Sequence, residues 1–189
     1  MRPPHPGLTA RYAEPHRRYH DLAHIEACLA DLAAAEGLSD LERRILEFAI
    51  WWHDAVHDPA RSDNEARSAE LAERDLAEFG EDAEVRREVG RLIGLTKGHQ
   101  VAPGDRLGAL MVSIDLAILA ARPGDYDAYA RAIREEYAHV PETAFRAGRA
   151  AVLRRLLDRE AIFPNPGFRA RFEARARANL ERELKALAA

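Results

Sequence analysis

Apolar residues recur along this chain at helical spacing, and almost nowhere at the two-residue period of a half-buried strand. The pattern predicts about seven or eight helices. The first covers roughly 19–36 and stops at Gly37. The second runs over about 40–57, with Ser39 as its cap and Glu42 as the capping-box partner. Asp58-Pro59 ends it, because a residue before proline avoids the helical region. Ser62 or Asp63 starts a third helix that reaches Phe79-Gly80, and a fourth covers about 82–97. A fifth, rich in buried-type residues such as Leu110, Met111 and Ile114, spans about 104–121 and breaks at Pro123-Gly124. The last three cover about 125–138, 141–160 and 167–187, with Pro164-Asn165-Pro166-Gly167 between the final two. The final helix sets Phe168, Phe172, Ala176, Leu180 and Leu184 on one stripe. No repeat or low-complexity linker divides the chain. The expected architecture is all-α: one helical bundle domain over residues 1–189, with 1–14 loosely attached.

Composition narrows this picture. The 189 residues are 47% hydrophobic and 32% charged, with a formal net charge of −4. That balance fits a soluble domain and gives no reason to expect nucleic acid as a partner. The arginines of the final helix alternate with Glu173, Glu181 and Glu183, as on a solvated face. Cys28, the single cysteine, cannot form an internal disulfide and reads as a small buried hydrophobe. The first residues lack the apolar core of a signal peptide, and no apolar run reaches bilayer length. A cytoplasmic protein without a membrane partner is the expectation, and exposed helical faces permit a homodimer.

The chemistry concentrates where polar residues interrupt apolar runs. His53-Asp54 lies within Phe48-Ala49-Ile50-Trp51-Trp52-His53-Asp54-Ala55-Val56-His57. An ionisable pair there is costly unless something compensates it, and a metal ion is the simplest compensator. His20 and His24 are four apart, as are His53 and His57, so each pair would share a helix face. Asp115 sits between Ile114 and Leu116 on a third apolar helix. Imidazole with carboxylate suits Mn, Fe, Co, Ni or Zn, while Mg takes more oxygen. Trp51 and Trp52 read as core and pocket wall, and His5, His16 and His139 as ordinary histidines. Glu136-x-x-His139 resembles half of a ferritin-like signature, without a second half.

The order His24, His53-Asp54, Asp115 on helices resembles the HD superfamily of metal-dependent phosphohydrolases. Tyr19-His20-Asp21-Leu22-Ala23-His24 and His53-Asp54-Ala55-Val56-His57 are also similar to the two signature segments of cyclic nucleotide phosphodiesterases, Tyr-His-Asn-x-x-His and His-Asp-x-x-His. Those catalytic domains are larger, and Asp21 stands where they have asparagine. With Asn64-Glu65, Thr96-Lys97, Asp115-Leu116-Ala117-Ile118-Leu119 and Ile133-Arg134-Glu135-Glu136-Tyr137, the chain looks most like small HD phosphohydrolases. The resemblance implies His24, His53, Asp54 and Asp115 as ligands of one divalent ion, with Asp54 essential to catalysis. It gives His20 the role of protonating the leaving group, and makes His57 and His99 candidates for a second ion or its water. Lys97 is the first candidate to hold the phosphate, with Arg17, Arg18, Arg131 and Arg134 as alternatives that otherwise read as solvated charges. The implied activity is hydrolysis of a small phosphate ester, a nucleotide or related metabolite, by metal-activated water. No Walker-type glycine loop is present. The same ligands would also serve an HD-type di-iron oxygenase, or a non-catalytic helical binding module stabilised by metal.

Overall fold

A computed structural model describes residues 6–188, and these form nine α-helices and one 3-10 segment, with no strand among them. In order they are α1 (Pro6–Tyr12), α2 (Leu22–Ala33), α3 (Asp40–Trp52), α4 (Asn64–Glu78), α5 (Ala83–Thr96), α6 (Arg106–Asp115), the 3-10 segment (Leu116–Ala120), α7 (Pro123–Glu136), α8 (Glu142–Leu157) and α9 (Pro166–Ala188). The all-α expectation holds, and each of the eight expected helices is present. The additional one is α1, in the stretch expected to be loose: its Leu8 and Tyr12 are buried, and Tyr12 Oη donates to the Trp51 carbonyl at 2.8 Å. His5 lies outside the described residues. No single helix among the described residues is long and apolar enough to cross a membrane.

The core is built around α3. Ile45, Leu46, Ala49, Ile50, Trp51 and Trp52 are all buried, and the last turn, Ala49 to Trp52, is apolar on every side and needs neighbours all round. α2, α4, α5 and α6 supply them. Trp52 Nε1 donates to the buried Asp75 carboxylate at 3.1 Å, and both tryptophans are core. α9 covers the 3-10 segment and α8 through Phe168, Ala176 and Leu180, and the Asn179 amide donates to the Leu119 and Ala121 carbonyls at 2.9 Å each.

Three helix ends differ from the sequence expectation, and all three carry site residues. α2 starts at Leu22, because Asp21 is its N-cap and accepts from the Ala23 and His24 amides. Asparagine caps a helix about as well as aspartate, so this helix start does not depend on which of the two stands at 21. His20 therefore precedes the helix and does not share a helical face with His24. α3 starts at the expected capping box of Ser39 and Glu42 but ends at Trp52, several residues before Asp58-Pro59. Backbone groups beyond it find partners elsewhere: Arg17 donates to the Asp54 and Ala55 carbonyls, and the Val56 amide donates to Ser68 Oγ. His57 is thus outside α3. The third is the fifth expected helix, which tightens at Leu116 into the 3-10 segment and leaves Asp115 at the end of α6.

Candidate metal centre

His24 on the first turn of α2, His53 at the C-cap of α3 and Asp115 at the end of α6 meet in the interior. His24 Nε2 and His53 Nε2 are 3.2 Å apart. Asp115 Oδ1 lies 3.4 Å from the first and 3.5 Å from the second. Asp54 Oδ2 lies 3.6 Å from His24 Nε2 and 3.1 Å from His53 Nε2. Donor atoms bound at about 2.0–2.1 Å around a tetrahedral ion lie about 3.3 Å apart, so the spacings among His24, His53 and Asp115 fit one divalent ion, with Asp54 beside the two histidines.

The outer contacts point the same way. His53 Nδ1 donates to the Ile50 carbonyl at 2.9 Å, which leaves the Nε2 lone pair of the neutral ring facing the cluster. His24 Nδ1 is 3.0 Å from Tyr19 Oη. Burial opposes charge on His53, but the Asp54 and Asp115 carboxylates outweigh it and hold the ring well above the ordinary imidazole range. Burial likewise raises both carboxyls, and the facing histidines more than reverse this, holding Asp54 and Asp115 well below the usual range. Without an ion, protons must compensate this charge. Cys28 is buried with Sγ 3.8 Å from the His24 ring nitrogens, and burial pushes its thiol up.

A second cluster that could hold an ion adjoins the first: His20, His57 and Glu136. Glu136 Oε1 accepts the backbone amides of Arg18, Tyr19 and His20 at 2.7, 2.8 and 3.0 Å. Its Oε2 takes His20 Nδ1 at 2.6 Å and lies 3.3 Å from His57 Nε2. The His20 and His57 rings stack with centroids 4.2 Å apart, and His16 Nε2 reaches the His57 carbonyl at 2.7 Å. Burial would raise the Glu136 carboxyl, yet the two imidazoles and the amides hold it far below the usual range. Burial lowers His20, and Asp54 and Glu136 more than compensate, raising it. Glu136 is the site residue that sequence reasoning missed as a partner of His20.

The remaining candidates lie outside both three-residue clusters. His99 Nε2 donates to Asp115 Oδ2 at 2.9 Å. His99 has φ 52°, a left-handed conformation unusual for a residue with a Cβ. Arg159 holds that turn by donating to the Gly98 and His99 carbonyls at 2.7 and 2.8 Å. Lys97 lines the same cavity as His20 and His99, with Nζ on the Ser62 carbonyl at 2.8 Å. Arg17 corrects its expectation outright: its side chain is 1% exposed and tied to protein carbonyls, so it is neither solvated nor free to hold a phosphate. Arg134 is engaged by Glu142 and the Tyr137 and Val140 carbonyls, while Arg18 and Arg131 are exposed. No family model, no curated protein and no solved structure matches this chain.

Proposed function

We propose that this chain is a metal-dependent phosphohydrolase of the HD type that cleaves a small phosphate ester. The observation that carries the reading is the convergence of His24, His53 and Asp115 at spacings fitting one ion, with Asp54 against both histidines, beside a histidine held by a buried carboxylate. Those four side chains would hold the ion. A divalent ion there supplies an acidified water and a positive charge beside the phosphoryl oxygens.

The chain's own residues do the rest. Glu136 fixes His20 with its Nδ1 proton on Oε2, so Nε2 of the protonated ring is the proton donor. Water oxygen bonds to phosphorus and releases one proton to solvent, the bond from phosphorus to the ester oxygen breaks, that oxygen leaves with the His20 proton, and His20 regains a proton from solvent. Such proton transfer contributes typically about 10²- to 10⁴-fold. His99 orients Asp115 through its second oxygen, and Arg159 orients His99.

Metal analysis of protein purified without chelator tests the reading, together with a phosphatase and phosphodiesterase screen supplied in turn with Mn, Co, Ni, Mg and Zn. At least about one ion per chain is expected. Asp54→Ala should lose metal and hydrolysis together, whereas His20→Ala should keep the metal and lose rate. A folded, metal-free chain inert to every ester would sink the proposal.

A further inference from the structure

A cavity of about 970 Å³ lies between α7 and α8 and opens on His20 and His99. Its volume is at the upper end of the range for small-molecule sites. Leu116 and Leu119 form one side, Ile133 of α7 another, and Phe145, Val152 and Leu156 of α8 a third. The cavity also reaches the metal cluster through its wall: Tyr129 packs edge-on against Tyr19, ring centroids 4.6 Å apart, and Tyr19 Oη contacts His24.

Three of the cations along this wall are engaged by the protein, while Gln100, Tyr137, Arg155 and Asp158 also line the cavity. Arg149 is bound to Glu183 at 2.7 and 3.1 Å and to Tyr129 Oη at 3.3 Å. Arg159 is bound to two carbonyls and Lys97 to a third. Their aliphatic stems remain to line the cavity. A sugar placed against Leu116, Leu119, Ile133, Val152 and Leu156 would bury hydroxyls on hydrocarbon, at a cost of roughly tenfold in affinity or more for each one left unpaired. A hydrocarbon group would gain from burial instead.

We infer that the α7–α8 cavity receives the organic part of the substrate, and that this part is an apolar alkyl or aryl group rather than a sugar or nucleoside. The inference rests on the phosphohydrolase reading for the phosphate end and on the cavity for the rest. The alcohol leaving group lies along Ile133 and Val152, and its oxygen is the one that His20 faces. The nucleotide expected from sequence is the competing substrate.

Calorimetric titration with methylphosphonate, n-octylphosphonate and AMP in its non-hydrolysable phosphonate form tests this without turnover. Each buried methylene should tighten binding about two- to fourfold, so octylphosphonate should bind at least about 100-fold more tightly than methylphosphonate and more tightly than AMP. Gly148, on α8 at the cavity, has no atom within 4 Å of an added Cβ. Gly148→Phe therefore enters open space on a helix, and it should close the gap between octyl and methyl probes with far-UV dichroism retained. Equal binding of the two alkyl probes, or preference for AMP, overturns the inference. Failure of the phosphohydrolase reading is seen separately: the chain would take up no metal while still binding octylphosphonate.

Discussion

Truncating Arg17 should cost this fold more than any exposed ion pair in it. The guanidinium donates to the His20 carbonyl at 2.7 Å, the Asp54 carbonyl at 2.8 Å and the Ala55 carbonyl at 3.4 Å, and stands 5.2 Å over the Tyr12 ring. It thus ties the segment before α2 to the segment after α3, and these segments carry His20, His53 and Asp54. Its bond to Glu14 at 3.0 Å counts for little, because Glu14 is 37% exposed on its side chain. Arg17→Ala leaves the two short-bonded carbonyls without their donor. Each unmet buried acceptor costs about 1–3 kcal/mol, which sums to about 2–4 kcal/mol with some relaxation. For a chain of this size that lowers Tm by about 5–15 °C. Urea melts followed by far-UV dichroism, with scanning calorimetry beside them, measure both quantities. Arg17→Lys should fall between, since an ammonium keeps the charge but loses the planar fork. Arg17→Met fills the space without donating. A loss below about 1 kcal/mol in both the Ala and Met variants would show that the carbonyls do not need this donor, and would refute the reasoning.

Three further outcomes are expected. Glu136→Gln should present an amide N–H₂ to His20 Nδ1 while its oxygen keeps the three backbone amides, so nitrogen NMR should show the His20 proton moved to Nε2, with a rate loss of about 10²-fold or more; unchanged imidazole shifts would contradict the geometry. Gly80→Ala should cost about 1–2 kcal/mol in a denaturant melt, because Gly80 closes α4 at φ 76° with nothing within 4 Å of a new Cβ, leaving backbone strain as the whole effect; a variant as stable as the parent would show that the turn readjusts. Asp31 has its carboxyl raised by burial, partly offset by Arg171. A carboxyl raised on folding contributes stability below its unfolded pKa and loses it as pH rises through the folded value. Asp31→Asn should therefore raise Tm at pH 7 and leave it near the parent value below about pH 3; a loss of Tm at pH 7 would reverse the sign.

The residues that periodicity reveals and those it hides divide along a physical line. The stripe Phe168, Ala176, Leu180 and the capping box Ser39–Glu42 are local patterns, legible because a helix repeats its own geometry. His53-Asp54 and Asp115 were legible for the opposite reason: each is polar in an apolar run, whereas His24 joined them through the family resemblance, and the structure brings His24, His53 and Asp115 together with Asp54 beside the histidines. The helix ends around them were not, because those ends depend on distant partners such as Arg17 and Ser68. Glu136 had a signal that went unread. It follows Ile133 by three and Tyr126 by ten, so it falls on the buried stripe of α7, where all three are buried. Paired with Glu135 it looks like a solvated face, but a carboxylate on an apolar stripe demands donors, and the amides of Arg18, Tyr19 and His20 provide them. Arg17 had no such signal, since it lies in an irregular segment where no period marks an inner side. Site residues at helix termini share this problem: their orientation is set by the turn that ends the helix, and the turn is set by tertiary partners. The same logic applies to His99, whose left-handed backbone is held by Arg159 sixty residues away, and whose imidazole reaches Asp115 only while that turn is kept.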